Sequence, residues 1–233
     1  MTTITVANEE EIIRKLSSYI EKISNDAIHN RGKFYVGLSG GSVVKYLSEG
    51  LPKVNTDWSK WVLAFCDERL VPEDSEDSTF GVYCKQMIPK TLLDKSQFIT
   101  IKQGVNAEEA AKDYTEQLIK AFGGDDFKFD LLLLGMGPDG HTCSLFPNHT
   151  LLNETQLKVA AITDSPKPPP ERITLTYPVI NSARNCIFAA SGAAKAEMIK
   201  RILKDKEDLP AARVKPTHGS VYWIVDAAAA QHL

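Results

Sequence analysis

The sequence predicts an α/β fold: one domain over residues 1–233, built on a mostly parallel sheet with helices on both faces. Three observations carry this. Short apolar runs that read as strands alternate with longer amphipathic runs that read as helices, the order that parallel crossovers require. The strongest of these strands, Phe129 to Leu134, is apolar at every position but Asp130, as expected of a strand buried on both faces. No stretch is long enough to divide the chain. The richest in proline, Ser165-Pro166-Lys167-Pro168-Pro169-Pro170, is short and reads as a stiff extended segment over the surface.

The elements follow in order. Asn8 and Glu11 form a capping-box pattern, and Ile12, Leu16, Ile20, Ile23 and Ala27 then share one helical face. Phe34 to Leu38 reads as a buried strand, and Ser39-Gly40-Gly41-Ser42 as a turn into a helix that runs through Leu47. A strand over Trp61 to Phe65 ends at Cys66-Asp67-Glu68-Arg69. An acidic loop, Glu73 to Ser78, precedes a helix near Thr79 to Met87. Phe98 to Ile101 looks strand-like. Asn106 and Glu109 cap a helix to Phe122, with Ala110, Tyr114, Leu118 and Ala121 on one face. After Leu134, strands are expected over Val159–Thr163, Ile173–Thr176, Ile187–Ala190 and Val221–Val225, with a helix over Ala193–Leu203.

Composition excludes several function classes. Net charge is −3, so no global basic field favours nucleic acid or anionic membrane, and any anion site must be local. No apolar run reaches membrane-spanning length, and Met1 to Glu11 lacks the pattern of a signal peptide. Cys66, Cys84, Cys143 and Cys186 have no paired spacing, which suits free thiols in a reducing cytoplasm.

Three segments could carry chemistry. In an open parallel sheet ligands bind beyond the carboxyl ends of strands, where the segments after Leu38, Phe65 and Leu134 all emerge. The Gly40-Gly41-Ser42 turn opens a helix, whose free N–H groups suit a phosphate. Gly37-Leu38-Ser39-Gly40-Gly41 also fits a nucleophile elbow, but only a helix and no clear strand precede it, which argues against a Ser39 nucleophile. Gly135-Met136-Gly137-Pro138-Asp139-Gly140 fits a dinucleotide fingerprint, with Asp164 after the next strand. Pro147 cuts short any helix the fingerprint would open, so the match fails. The better reading of this loop is acid–base chemistry at His141, with Asp139 orienting the imidazole. His141, Cys143 and His149 match no metal template. Arg69 is placed to bind a carboxylate or phosphate, or to join a local salt-bridge network with Asp67 and Glu68. Arg172 and Lys195 also follow turn-like segments, and singly each reads as a surface charge.

Together these segments resemble the 6-phosphogluconolactonase family, and are most similar to its animal cytosolic members. The resemblance rests on Leu38 to Ser42, Phe65 to Pro72, Ser78-Thr79-Phe80-Gly81, Gly135 to Pro147, Ser165 to Thr176, and Ser191-Gly192 with Lys195. It spans roughly residues 34 to 203, with no departure at a site-bearing position. It implies a modified doubly wound, Rossmann-like sheet, the fold shared with glucosamine-6-phosphate deaminases. It also implies hydrolysis of 6-phosphoglucono-δ-lactone to 6-phosphogluconate, the second step of the oxidative pentose phosphate pathway. No cofactor and no metal are expected. By position, His141 would be the general base and Asp139 its support. Gly40, Gly41, Ser42, Arg172 and Lys195 would hold the phosphate, and Arg69 would help to place the sugar or the reacting carbonyl. Asp67 joins the expected substrate contacts, although Asp67 and Glu68 cannot be told apart at this level. Lys45, one turn into the helix, is a further phosphate candidate.

The expected partner is a small phosphorylated sugar lactone, with no nucleic acid or membrane, and the expected state is a monomer in the cytoplasm. Two other readings stay open. One is a glucosamine-6-phosphate deaminase/isomerase; those enzymes resemble one another in carrying an aromatic after the Asp-Glu pair, where this chain has Arg69. The other is a sugar-phosphate-binding protein that makes no catalytic use of His141.

Overall fold

The computed structural model describes residues 1–233. It begins with a strand that the sequence pattern does not announce, β1 (Thr2–Val6). This strand is short, largely exposed and apolar at only two positions, so its pattern carries little signal. Helix α1 (Glu9–Arg31) begins where expected: the Asn8 side chain accepts the Glu11 N–H. Glu11 reaches back one residue further than a capping box requires, accepting from Ala7 N–H. Gly32, at φ 77°, ends the helix. Strand β2 (Phe34–Leu38) leads into α2 (Ser42–Gly50), and β3 (Trp61–Phe65) runs almost directly into β4 (Asp67–Arg69). Helix α3 (Thr79–Gln86) is capped by Ser78, and α4 (Ala107–Phe122) by Asn106. Phe98, expected in a strand, makes only an isolated bridge to Leu63. The rest of the chain forms β5 (Leu131–Leu134), β6 (Val159–Ile162), β7 (Arg172–Leu175), the one-turn α5 (Tyr177–Ile180), β8 (Asn185–Ala190), α6 (Ala196–Leu203) and β9 (Ser220–Asp226).

Six strands form one parallel sheet in the order β1-β9-β8-β5-β2-β3. Strand β5 shows why its sequence is nearly all apolar. Leu131 and Leu133 join the core under α1 and α2, whereas Leu132 and Leu134 join the core on the α4 and α6 side. The mostly parallel α/β expectation therefore holds for the central sheet. Two of the expected strands, β6 and β7, lie elsewhere: with β4 they make a separate antiparallel sheet in the order β4-β7-β6. Cys66 is the joint between the two sheets, because its N–H donates to Leu38 O in one and its carbonyl accepts from Leu175 N–H in the other.

The chain moves from β2 outward to β3 on one side, and from β5 outward through β8 and β9 on the other. The order reverses between β2 and β5, and the crevice at such a reversal is where open α/β sheets bind ligands. No helix is long and apolar enough to cross a membrane.

Candidate active site

Four segments converge at this crevice, each leaving the carboxyl end of a central strand. Ser39–Ser42 follows β2, Cys66–Arg69 follows β3, Gly135–His141 follows β5, and Ser191–Lys195 follows β8. They enclose a cavity of about 200 Å³. Its lining includes every expected site residue except Asp139: Gly40, Gly41, Ser42, Asp67, Arg69, His141, Arg172 and Lys195.

The floor is the glycine turn. Gly41 sits at φ 67°, which a Cβ would strain, and gives α2 its first turn without any side-chain cap. Helices α1, α3 and α4 each have a capping side chain; α2 leaves its first N–H groups for a ligand. Ser39 Oγ is buried beside this turn with no hydrogen-bond partner. A nucleophilic serine needs a base within hydrogen-bond reach, so the elbow motif has the sequence of a hydrolase nucleophile without its geometry.

The loop after β5 is a tight ring, closed by Gly137 N–H to His141 O at 2.9 Å and Gly140 N–H to Gly137 O at 3.1 Å. It opens no helix, so the dinucleotide fingerprint is a sequence match only. Asp164, its would-be ribose acid, pairs with His149 at 3.0 Å. The ring folds His141 back onto Asp139, and Nδ1 lies 2.5 Å from Asp139 Oδ1. Phe146 flanks the imidazole with ring centroids 4.8 Å apart, and the Arg172 guanidinium lies 5.8 Å from the same phenyl ring. Burial drives the His141 pKa below its ordinary value; hydrogen bonding and charge from Asp139 oppose this, and the Lys167 ammonium adds to it. Burial by itself would raise the Asp139 carboxyl. The hydrogen bond and charge of His141, with a further bond from Lys167, outweigh it and bring the pKa down to about 2.

Three cations face this imidazole across the cavity, and each is held in place. Arg69 and Arg172 are directly opposite one another on β4 and β7. Like charges in that register repel, so their pairing favours an anion that both could share. Arg69 donates to Asp77 O through Nη1, but its buried Nε has no partner. Arg172 is not the free surface charge its sequence context suggests. It is buried and donates to the carbonyls of Lys167, Pro168 and Pro169 at 2.9 to 3.0 Å. Lys195 Nζ donates to Met136 O at 2.8 Å, and burial and then the Lys167 charge pull its pKa down.

The structure separates Asp67 from Glu68. Both oxygens of Glu68 are used inside the fold: they accept the N–H groups of Arg69, Thr79 and Phe80 at 2.8 Å and so cap α3. Asp67 lines the cavity and accepts Ser144 Oγ–H at 2.7 Å. Lys45 does not line the cavity; it pairs with Glu9 on α1. Sequence reasoning missed Lys167. The proline-rich segment expected merely to cover the surface brings this ammonium to 3.1 Å from both Asp139 Oδ1 and His141 Nδ1. Its only sequence signal was a charge among prolines.

A family model described as glucosamine-6-phosphate isomerases/6-phosphogluconolactonase matches residues 7–223. The chain belongs to this family. Within it, the rat 6-phosphogluconolactonase is 51% identical over 211 residues, covering 88% of this chain and 82% of the relative. A probable 6-phosphogluconolactonase of Drosophila melanogaster is 43% identical, covering 100% and 96%. Among solved structures, the 6-phosphogluconolactonase of Thermotoga maritima superposes with a TM-score of 0.84 at 25% identity, covering 97% of this chain and 100% of that one. A monomeric glucosamine-6-phosphate deaminase gives a TM-score of 0.81 at 20% identity and shares the fold. The Rossmann-like sheet implied by the sequence resemblance is thus the family's own.

Proposed function

We propose that this chain hydrolyses 6-phosphoglucono-δ-lactone to 6-phosphogluconate, with His141 as the general base. One observation carries the reading: a single cavity joins an Asp139-oriented imidazole to three cations and an uncapped helix N-terminus. The names of the relatives in this family support the same substrate.

The chemistry fits these groups. With Asp139 ionised, Nδ1 carries the proton and donates it to Asp139, leaving the Nε2 lone pair to accept a proton from water. That water attacks the lactone carbonyl carbon and forms a tetrahedral oxyanion. Collapse breaks the bond to the ring oxygen, and the imidazolium returns its proton there. The new carboxylic acid loses its proton to solvent. No covalent intermediate on Ser39 is required, because a δ-lactone is already an activated ester. Gly40, Gly41, Ser42, Arg172 and Lys195 grip the phosphate in this reading, and Arg69 with Asp67 places the sugar and the reacting carbonyl. Binding energy at the remote phosphate orients the ring for attack. Unpaired cysteines suit a reducing cytoplasm and the modest net charge argues against nucleic acid and anionic membrane as partners; the chain would work there as a monomer. Size-exclusion chromatography at micromolar concentration tests the monomer.

The deciding experiment follows 6-phosphogluconate formation from freshly made lactone, corrected for spontaneous hydrolysis. Enzyme-dependent turnover is expected. Ammonia release from glucosamine 6-phosphate with no lactone turnover would overturn the assignment, and phosphosugar binding without either activity would leave only a binding protein.

A further inference from the structure

We propose that Lys167 is a positioning residue for this reaction: its ammonium steadies Asp139 behind the imidazole and holds His141 in the neutral form that accepts a proton. The proposal rests on the reading of His141 as the base.

Lys167 does not line the cavity. It approaches His141 from the Nδ1 side, opposite the nitrogen that would face water. The segment that carries it is fastened at several points. The Lys167 carbonyl accepts from Ser165 Oγ–H at 2.8 Å and from Arg172 Nη2 at 2.9 Å, and Ser165 N–H donates to Pro170 O at 3.2 Å. Arg172 therefore ties this strap to the β7 wall of the site. From it, Lys167 Nζ reaches Asp139 Oδ1 and His141 Nδ1, each at 3.1 Å.

An ammonium is only a donor. Asp139 Oδ1 is the oxygen 2.5 Å from Nδ1, so Nδ1 must carry a proton to avoid two lone pairs in contact. Lys167 therefore bonds to Asp139, and its closeness to Nδ1 is a contact between two donors. That contact is tolerable beside a neutral imidazole and costly beside an imidazolium.

This resolves a conflict inherent in an Asp–His pair. The carboxylate that fixes the ring also attracts a proton onto it, and a protonated imidazole cannot activate water. A cation on the same carboxylate cancels part of that attraction while leaving the orientation intact. The charged groups facing His141 from other elements do not supply this. Asp67 on β4 favours protonation, Arg69 and Arg172 look in from the far wall, and Lys195, itself subject to the charges of Lys167 and Asp139, is bonded to Met136 O. Burial and Lys167 are what oppose protonation of the ring.

The test reads the His141 midpoint directly by NMR titration of the imidazole, alongside the pH dependence of kcat/KM, in Lys167→Met, Lys167→Gln and Lys167→Arg. Replacing the charge should raise the midpoint by about one unit, at the low end for a neighbouring charge because the side chain is one-third exposed. The acid limb of the rate profile should rise with it, cutting activity up to about tenfold below neutral pH and by less than about twofold in mild alkali. Arginine should restore both. An unmoved midpoint in Lys167→Met and Lys167→Gln would overturn the proposal, even if activity fell uniformly at all pH values, since that pattern marks a merely structural residue. His141→Asn keeps the two readings distinct. If it stays inactive while the midpoint is unmoved, only the Lys167 role fails. If the midpoint rises and the rate profile does not follow, His141 is not the base, and Lys167 has no part in the reaction.

Discussion

Gly137→Ala should disable the base while leaving the fold in place. Gly137 is not among the residues at positive φ, so its backbone accepts alanine without strain. The obstacle is the imidazole. A Cβ at this position would lie 2.0 Å from both Cε1 and Nδ1 of His141, and 2.8 Å from Asp139 Oδ1. Carbon contacts relax only near about 3.5–4.0 Å, so the ring must retreat by roughly 1.5 Å or swing to another rotamer. Either movement breaks the 2.5 Å contact with Asp139. A misplacement of about 1 Å costs on the order of 10²-fold in rate, so kcat should fall by about 10²-fold or more. Stability should change little. The pair is partly exposed, with His141 at 18% and Asp139 at 35%, and losing its hydrogen bond should cost about 1 kcal/mol, or roughly 2–4 °C in Tm. The assay is steady-state lactone hydrolysis with a parallel melting curve. A Gly137→Ala enzyme within about threefold of the wild-type kcat would refute the reasoning, because near-attack geometry would not then depend on where this ring sits.

Other outcomes follow from the same geometry. His141→Ala should lower kcat by roughly 10²–10⁴-fold while inorganic phosphate still binds, as measured by kinetics and calorimetry. In the wild type, kcat/KM should fall as pH drops through the His141 pKa, which burial holds below the ordinary histidine value; a profile flat across that range would contradict a neutral imidazole base. Arg172→Ala and Lys195→Ala should chiefly raise KM for the phosphorylated lactone, and unchanged kinetics in both would remove them from the phosphate site. Glu68→Ala should act through stability, leaving without a partner two buried N–H groups at the start of α3 (Thr79 and Phe80) and the half-buried N–H of Arg69 on β4, for a loss of about 3 kcal/mol in urea unfolding. The fraction that remains folded should keep its KM.

Much of this was legible because its causes are local. Asn8, Ser78 and Asn106 each bond an N–H three residues on, and the apolar face of α1 repeats with the helical period, so these helices announce themselves over a few residues. Asp139 and His141 are two positions apart on a glycine-bounded loop, and the glycine turn follows its strand directly, which is why both motifs could be read before any fold was known. The family resemblance then added Arg172 and Lys195, which no local pattern singled out.

Tertiary structure decided the rest. Strand β1 exists because β9, from the other end of the chain, offers it an edge, and such pairing leaves no mark on five residues of sequence. The register of β4 against β7 set Arg69 opposite Arg172, turned Glu68 into the fold and left Asp67 in the cavity. In α2, Lys45 looked like a phosphate ligand by its spacing but is drawn to Glu9 instead. Lys167 reaches Asp139 only because Arg172 gathers the carbonyls of the proline segment and folds it back over the loop. The sequence by itself determined the α/β class, the glycine turn and the Asp139–His141 pair, since backbone conformation and short-range hydrogen bonds follow from neighbouring residues. Which charges surround that pair, and therefore whether its histidine is a base or an acid at neutral pH, depends on groups distant in sequence that only the packed chain brings within reach.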